Sequence, residues 1–193
     1  MIGELPTALV VGGKPHRIRT NFRDILRIIE AFCDPELAEA EKALVCLKII
    51  YEDFEDIPQS LDSEALQAAV DFIDCKAYAD DRPEKRNMPS PRQMDWEQDS
   101  SMIFAAINRV AGREVRHAKY LHWWTFMGYY MEIPMDGVYG QVLQLRHKKI
   151  KNEKLSKSEQ EFWSRNQDIC VLRPKLSAKE KEEVEALKRL LDG

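Results

Sequence analysis

A chain of 193 residues with 44% apolar side chains can bury the core of one domain, and its formal net charge of −4 argues against general binding to nucleic-acid phosphates. No apolar run approaches the ~20 residues of a membrane span, and the N-terminus lacks the basic start and long apolar region of a signal peptide. Cys33, Cys46, Cys75 and Cys170 have no Cys-x-x-Cys spacing, which predicts free thiols in a reducing cytoplasm rather than disulfide staples or a metal site.

The chain begins with two short extended runs, TALVV and KPHRIRT, around Gly12-Gly13. Glycine tolerates the positive φ of a tight turn, so a β-hairpin is predicted. In NFRDILRIIEAF, Phe22, Ile25, Ile29 and Phe32 recur at helical spacing, with Asn21 or Thr20 as cap. Asp34-Pro35 predicts the next helix start, with Leu37, Leu44, Leu47 and Ile50 for burial. A further helix follows Pro58, with Leu66, Val70 and Ile73 on one side.

Residues 79–94 hold three of the nine prolines among charges. They predict a mobile loop between residues 1–78 and a C-terminal helical part, 95–172, of the same domain. Residues 80–93 are the expected first site of limited proteolysis.

Asp95 and Gln98 have capping-box spacing before SMIFAAINRVAG, which ends at Gly112. The stretch REVRHAKYLHWWTFMGYYMEI then predicts a helix up to Pro134. On a helical wheel its Tyr120, Trp123, Trp124, Phe126, Met127, Tyr130 and Met131 share a broad stripe. That stripe reads mainly as core, with Trp123, Phe126 and Tyr130 buried and Gly128 allowing close approach. The next helix offers Val138, Val142 and Leu145. Ser156 with Glu159, and Ser177 with Glu180, predict capping boxes for two last helices.

The fold class is therefore mainly α, a helical domain with a short N-terminal β-hairpin, and 173–193 form a helical tail set off by Pro174. Its Val184, Leu187, Leu190 and Leu191 make a narrow apolar stripe that should dock on its own domain, a second copy or another protein.

Charge is uneven. Residues 30–74 carry thirteen acids against Lys42 and Lys48, whereas 146–157 carry Arg146, Lys148, Lys149, Lys151, Lys154 and Lys157 against Glu153. No phosphate loop, metal-binding histidine pattern or positioned nucleophile is visible, and no cofactor is implied. Asp53, Glu55 and Asp56 read as a solvated turn.

YLHWWTF adds a specific signal. Leu121, His122, Trp123, Trp124 and Phe126 resemble a Leu-His-Trp-Trp-x-Phe motif of the bacteriophage gene-product-fifteen-like proteins, small phage and prophage proteins encoded near the tape-measure gene. Asp95, Trp96, Asp99, Ile103 and Ala106 resemble that family's acidic-aromatic lead-in. NFRDIL is similar to its Asp-Phe-Arg start of the first helix, with Asn21 in place of the usual Asp. The basic run and the acidic-aromatic helix after it fit as well. The resemblance spans about 5–170 and leaves out the last helix. It implies a non-enzymatic tail-assembly chaperone in the bacterial host cytoplasm. The implied partners are the tape-measure protein, tail-tube subunits, a second tail chaperone or another copy of the chain, with no membrane. Partner contact is expected at Trp96, Arg146, Lys148, Lys149, Lys151, Lys154, Leu187 and Leu191. An enzyme with an unrecognised site and a nucleic-acid binder using 146–157 are the competing readings.

Overall fold

A computed structural model describes residues 3–76 and 91–191. Strands β1 (Ala8–Val11) and β2 (Lys14–Arg17) pair antiparallel, with Val11 opposite Lys14 and Ala8 opposite Arg17. Gly12 and Gly13 have φ of 56° and 75°, as the two-residue turn requires. The turn is tied down where the Gly12 N–H donates to Glu64 Oε1 at 2.8 Å.

Nine α-helices follow among the described residues: α1 (Phe22–Phe32), α2 (Glu39–Ile50), α3 (Asp62–Ile73), α4 (Ser100–Ala111), α5 (Trp123–Met131), α6 (Val138–Ile150), α7 (Lys157–Arg165), α8 (Gln167–Cys170) and α9 (Ala178–Leu191). The mainly helical class with one hairpin is what the periodicities predict. The main core joins the hairpin's Val11 to α1 through α5, with Phe22, Ile25, Ile50, Phe72, Ile107 and Phe126 among its buried members. A smaller core of Val142, Leu145 and Cys170 lies among α6, α7 and α8, and Met102 of α4 packs against both cores.

Several boundaries differ from the sequence reading. Asp34 accepts the Glu36 N–H and so closes a turn, not a helix. The helix waits for Ala38, whose N–H is bound by the Glu41 side chain at 2.8 Å. Asp95 likewise caps a turn, accepting from the Glu97 and Gln98 N–H groups, and α4 starts at Ser100, behind Asp99. Gln98 turns away and holds the chain after α8, through the Val171 carbonyl and the Arg173 N–H. The deeply buried side of α3 is Ala65, Ala69, Phe72 and Ile73, rotated from the Leu66–Val70 side. Leu44 and Val138 are exposed. The boxes at Ser156–Glu159 and Ser177–Glu180 form as predicted.

Residues 77–90 lie outside the described residues, and with them most of the expected proteolytic loop. Its far end is held in place: Arg92 pairs with Asp95 and donates to the Arg173 carbonyl, and the Gln93 carbonyl accepts from Arg146.

Gly128 has open space where a side chain would start, so it permits no close approach. Gly140 does. A Cβ there would lie 2.5 Å from Met135 Cα, and backbone cannot swing aside as a side chain can. Gly140→Ala is expected to destabilise by about 1–3 kcal/mol, the cost of overpacking, despite alanine's better helix propensity. Urea unfolding measures it; equal or greater stability would refute the close approach.

Candidate functional site

The double tryptophan answers to the end of a helix. Trp123 Nε1–H donates to the Ile73 carbonyl at 2.8 Å, and Trp124 Nε1–H donates to the Phe72 carbonyl at 2.9 Å. Those carbonyls belong to the last turn of α3, where backbone acceptors lack partners within the helix. Two adjacent indoles thus cap one helix end while their rings fill the core. Trp124 stacks on Phe72 and Trp123 on Phe126, with centroids 5.9 and 5.6 Å apart.

α5 begins at Trp123, not upstream. His122 is its cap, accepting the Trp124 N–H at Nδ1 while Nε2 bonds the Pro6 carbonyl at 2.9 Å. The two contacts together require the tautomer with hydrogen on Nε2. Residues 121–123 cannot coil because they pair with the start of α1: Phe22 N–H donates to Leu121, and Trp123 N–H to Thr20. Tyr120 therefore leaves the predicted stripe. It is 56% exposed, with its hydroxyl 2.6 Å from Thr20 Oγ1. Met131 is exposed as well, and Tyr130 is half-buried. Leu121, His122, Trp123 and Phe126 are buried and Trp124 is half-buried, so the motif is a junction of hairpin, α1, α3 and α5.

This junction carries a groove. Phe126 stacks on Phe22 at 4.6 Å, with Phe104 and Trp96 packed at 5.9 and 6.2 Å. Phe22, Trp96 and Phe104, with Leu26 and Ile29, line an open cleft of about 450 Å³ between α1 and the start of α4. Arg23, Arg27 and Arg116 stand at one end. Glu30, Cys33, Glu97 and Lys175 stand at the other, where a second depression continues past Asp34 and Glu36. Arg23 donates to the Arg116 and Ala118 carbonyls, whereas Arg27 and Arg116 are shared with Asp24 and Glu114.

Asp95 sits behind the acidic end. Burial pushes its pKa up. The Gln98 N–H, Lys175, Arg92 and the Glu97 N–H outweigh that and hold it below the ordinary value. Its support for the fold is present above the ordinary carboxylate pKa and is lost as pH falls through the lowered one.

The basic run does not form one exposed surface. Arg146 was expected to face a partner; it is 4% exposed and forks onto Asp99 at 2.7 and 2.8 Å. Its other N–H groups reach the Gln93, Ile169 and Cys170 carbonyls. A guanidinium has five N–H donors, and all five are engaged, which is why this arginine goes inward. Lys148 pairs with Glu159 at 2.7 Å, and Lys149 lies over the Trp163 ring. Lys151 and Lys154 are exposed. Leu187 is exposed on α9, and the Leu191 side chain lies outside what the structure describes.

Burial pushes the Cys46 thiol up to about 12 and, with Asp74 adding to it, Cys75 up to about 11. Neither is an activated nucleophile near neutral pH. Among the described residues no group of three or more His, Cys, Asp or Glu is placed to hold a metal ion, and no helix is long and apolar enough to cross a membrane.

Periodicity could not find the groove, because its two walls come from segments about seventy residues apart. Only the acidic-aromatic stretch around Trp96 pointed to it. No curated protein and no solved structure matches the chain. Residues 1–172 match the family model described as Bacteriophage Gp15 protein, a span that contains the hairpin, the tryptophan junction and both walls of the groove, and the chain belongs to that family.

Proposed function

We propose that this chain is a non-enzymatic tail-assembly chaperone that binds the tape-measure protein in the bacterial host cytoplasm and helps tail-tube subunits collect on it. The observation that carries this reading is the open α1/α4 groove, apolar on its floor and charged at both ends. Such a cleft suits an amphipathic helix, whose apolar face enters while its charged flanks stay at the rim. A long helical client with exposed apolar stripes presents that face repeatedly. The phage family is the other support, and the reading requires no catalytic group.

Co-expression with the tape-measure protein followed by pull-down tests it. Leu26 lines the groove and packs half-buried on the main core, so Leu26→Glu should cost some stability and still leave the chain folded. Losing a buried leucine contact of about 1.5–3 kcal/mol predicts recovery reduced roughly 10- to 100-fold, with a cooperative thermal transition retained. If the unaltered chain recovers no tape-measure protein, or Leu26→Glu recovers as much, the reading fails.

A further inference from the structure

Every side chain described from Ala178 to Leu190 is exposed, with Val184, Leu187 and Leu190 forming an apolar stripe; Leu190 is 79% exposed. A lone helix of fourteen residues is marginal in water, so α9 needs a surface to cover that stripe. The family match ends at residue 172, so this helix lies outside the matched span.

We propose that α9 of one copy docks in the α1/α4 groove of a second copy, reciprocally, so that two chains exchange tails. Size agrees. From Arg23 to Cys33 the α1 wall is about 15 Å long, and the stripe from Glu183 to Leu190 covers about 10 Å.

Charge decides between a second copy and the chain's own groove. The first half of α9 holds Glu180, Glu182, Glu183 and Glu185 against Lys179 and Lys181, so it keeps an acidic excess, and the second half holds Lys188 and Arg189. Its start is fixed at the acidic end of its own groove: Lys175 pairs with Glu97, and the Ala178 N–H donates to Glu36. Folding back would lay the glutamates beside Glu30 and Glu97, and the late basic residues beside Arg23 and Arg27. It would also break the contacts that hold its start. A tail arriving from a second copy runs the other way. Its glutamates meet Arg23, Arg27 and Arg116, and Lys188 and Arg189 meet Glu30 and Glu97. Opposed charges of this kind set direction and suppress the wrong register. Glu183 lies on the same helical face as Val184, Leu187 and Leu190, so the acidic start faces the groove along with the stripe.

The exchanged tail would fill the groove until a client helix displaces it. This inference uses the groove but not the identity of its client, and self-association is read without any tape-measure protein present.

Exposed Cys33 marks the acidic end and serves as a probe. In the full chain with Cys75→Ser, Lys188→Cys should form an interchain disulfide with Cys33 under mild oxidation, giving a covalent dimer. Glu183→Cys, held at the arginine end, should give little. By sedimentation the unaltered chain should be a dimer at micromolar concentration, and Leu187→Asp should weaken association by more than about tenfold while the monomer stays folded, with its helical circular-dichroism signal unchanged. A monomeric unaltered chain, an intrachain Cys33 disulfide from Lys188→Cys, or equal dimer yields from positions 183 and 188 would overturn the proposal.

Discussion

Arg146→Ala is expected to destabilise the protein by about 3–5 kcal/mol, the range for breaking a buried ion pair from one side. The arginine crosses from α6 to Asp99 of α4 and is bonded to carbonyls before α4 and at the end of α8. Its removal leaves the fully buried Asp99 carboxylate with the Asp95 N–H and no cation. It also leaves three carbonyls without this donor. For a chain of this size the thermal midpoint should fall by roughly 6–20 °C. The double variant Arg146→Met with Asp99→Leu removes both charges and should recover much of the loss, since a hydrophobic pair of similar volume can replace a buried ion pair. A single-variant loss below about 1 kcal/mol, on the scale of an exposed pair, would show that this pair is not buried in solution.

Trp123→Ala should cost a similar amount, about 3–5 kcal/mol, as large aromatic truncations in cores do. Trp123 is essentially buried, stacks on Phe126 and caps α3 through the Ile73 carbonyl. Trp124→Phe gives the contrast. It keeps a ring against Phe72 and loses one hydrogen bond to the Phe72 carbonyl, so about 1–3 kcal/mol is expected. Urea unfolding of both variants separates the roles. Equal losses would mean that the two indoles do not differ as their burial and stacking indicate.

Trp123 is legible in the sequence and Arg146 is not. Trp123 lies in a stripe that helical periodicity assigned to the core, and it is core. Its neighbour Tyr120 lies on the same wheel but outside the helix. The wheel assumes a helix that the backbone of residues 121–123 gives up to pair with Thr20 and Phe22. Arg146 sits in a run of cations that looks like a solvated face. Nothing local distinguishes it from Lys148 or Lys149, because its partner Asp99 is 47 positions away. Spacing predicts helix caps at Asp34 and Asp95, and both cap turns instead. An aspartate accepts equally well from a turn two or three residues on, and the helix starts where other groups satisfy its first N–H groups.

By itself the sequence determined what depends on neighbouring residues. The glycine pair sets the hairpin turn, apolar spacing at three and four residues makes the helices, and Ser156–Glu159 and Ser177–Glu180 start the last long ones. These follow from φ preferences and hydrogen bonds that close within a single turn of chain. Tertiary structure alone decided where α5 begins, why the paired indoles meet the end of α3, and that Arg146 turns inward. It also decided that Phe22, Trp96 and Phe104 open a groove whose charge reverses from end to end. Each of these joins groups tens of residues apart. Their free energy comes from burial and from satisfying polar groups cut off from water, and no local pattern carries that information.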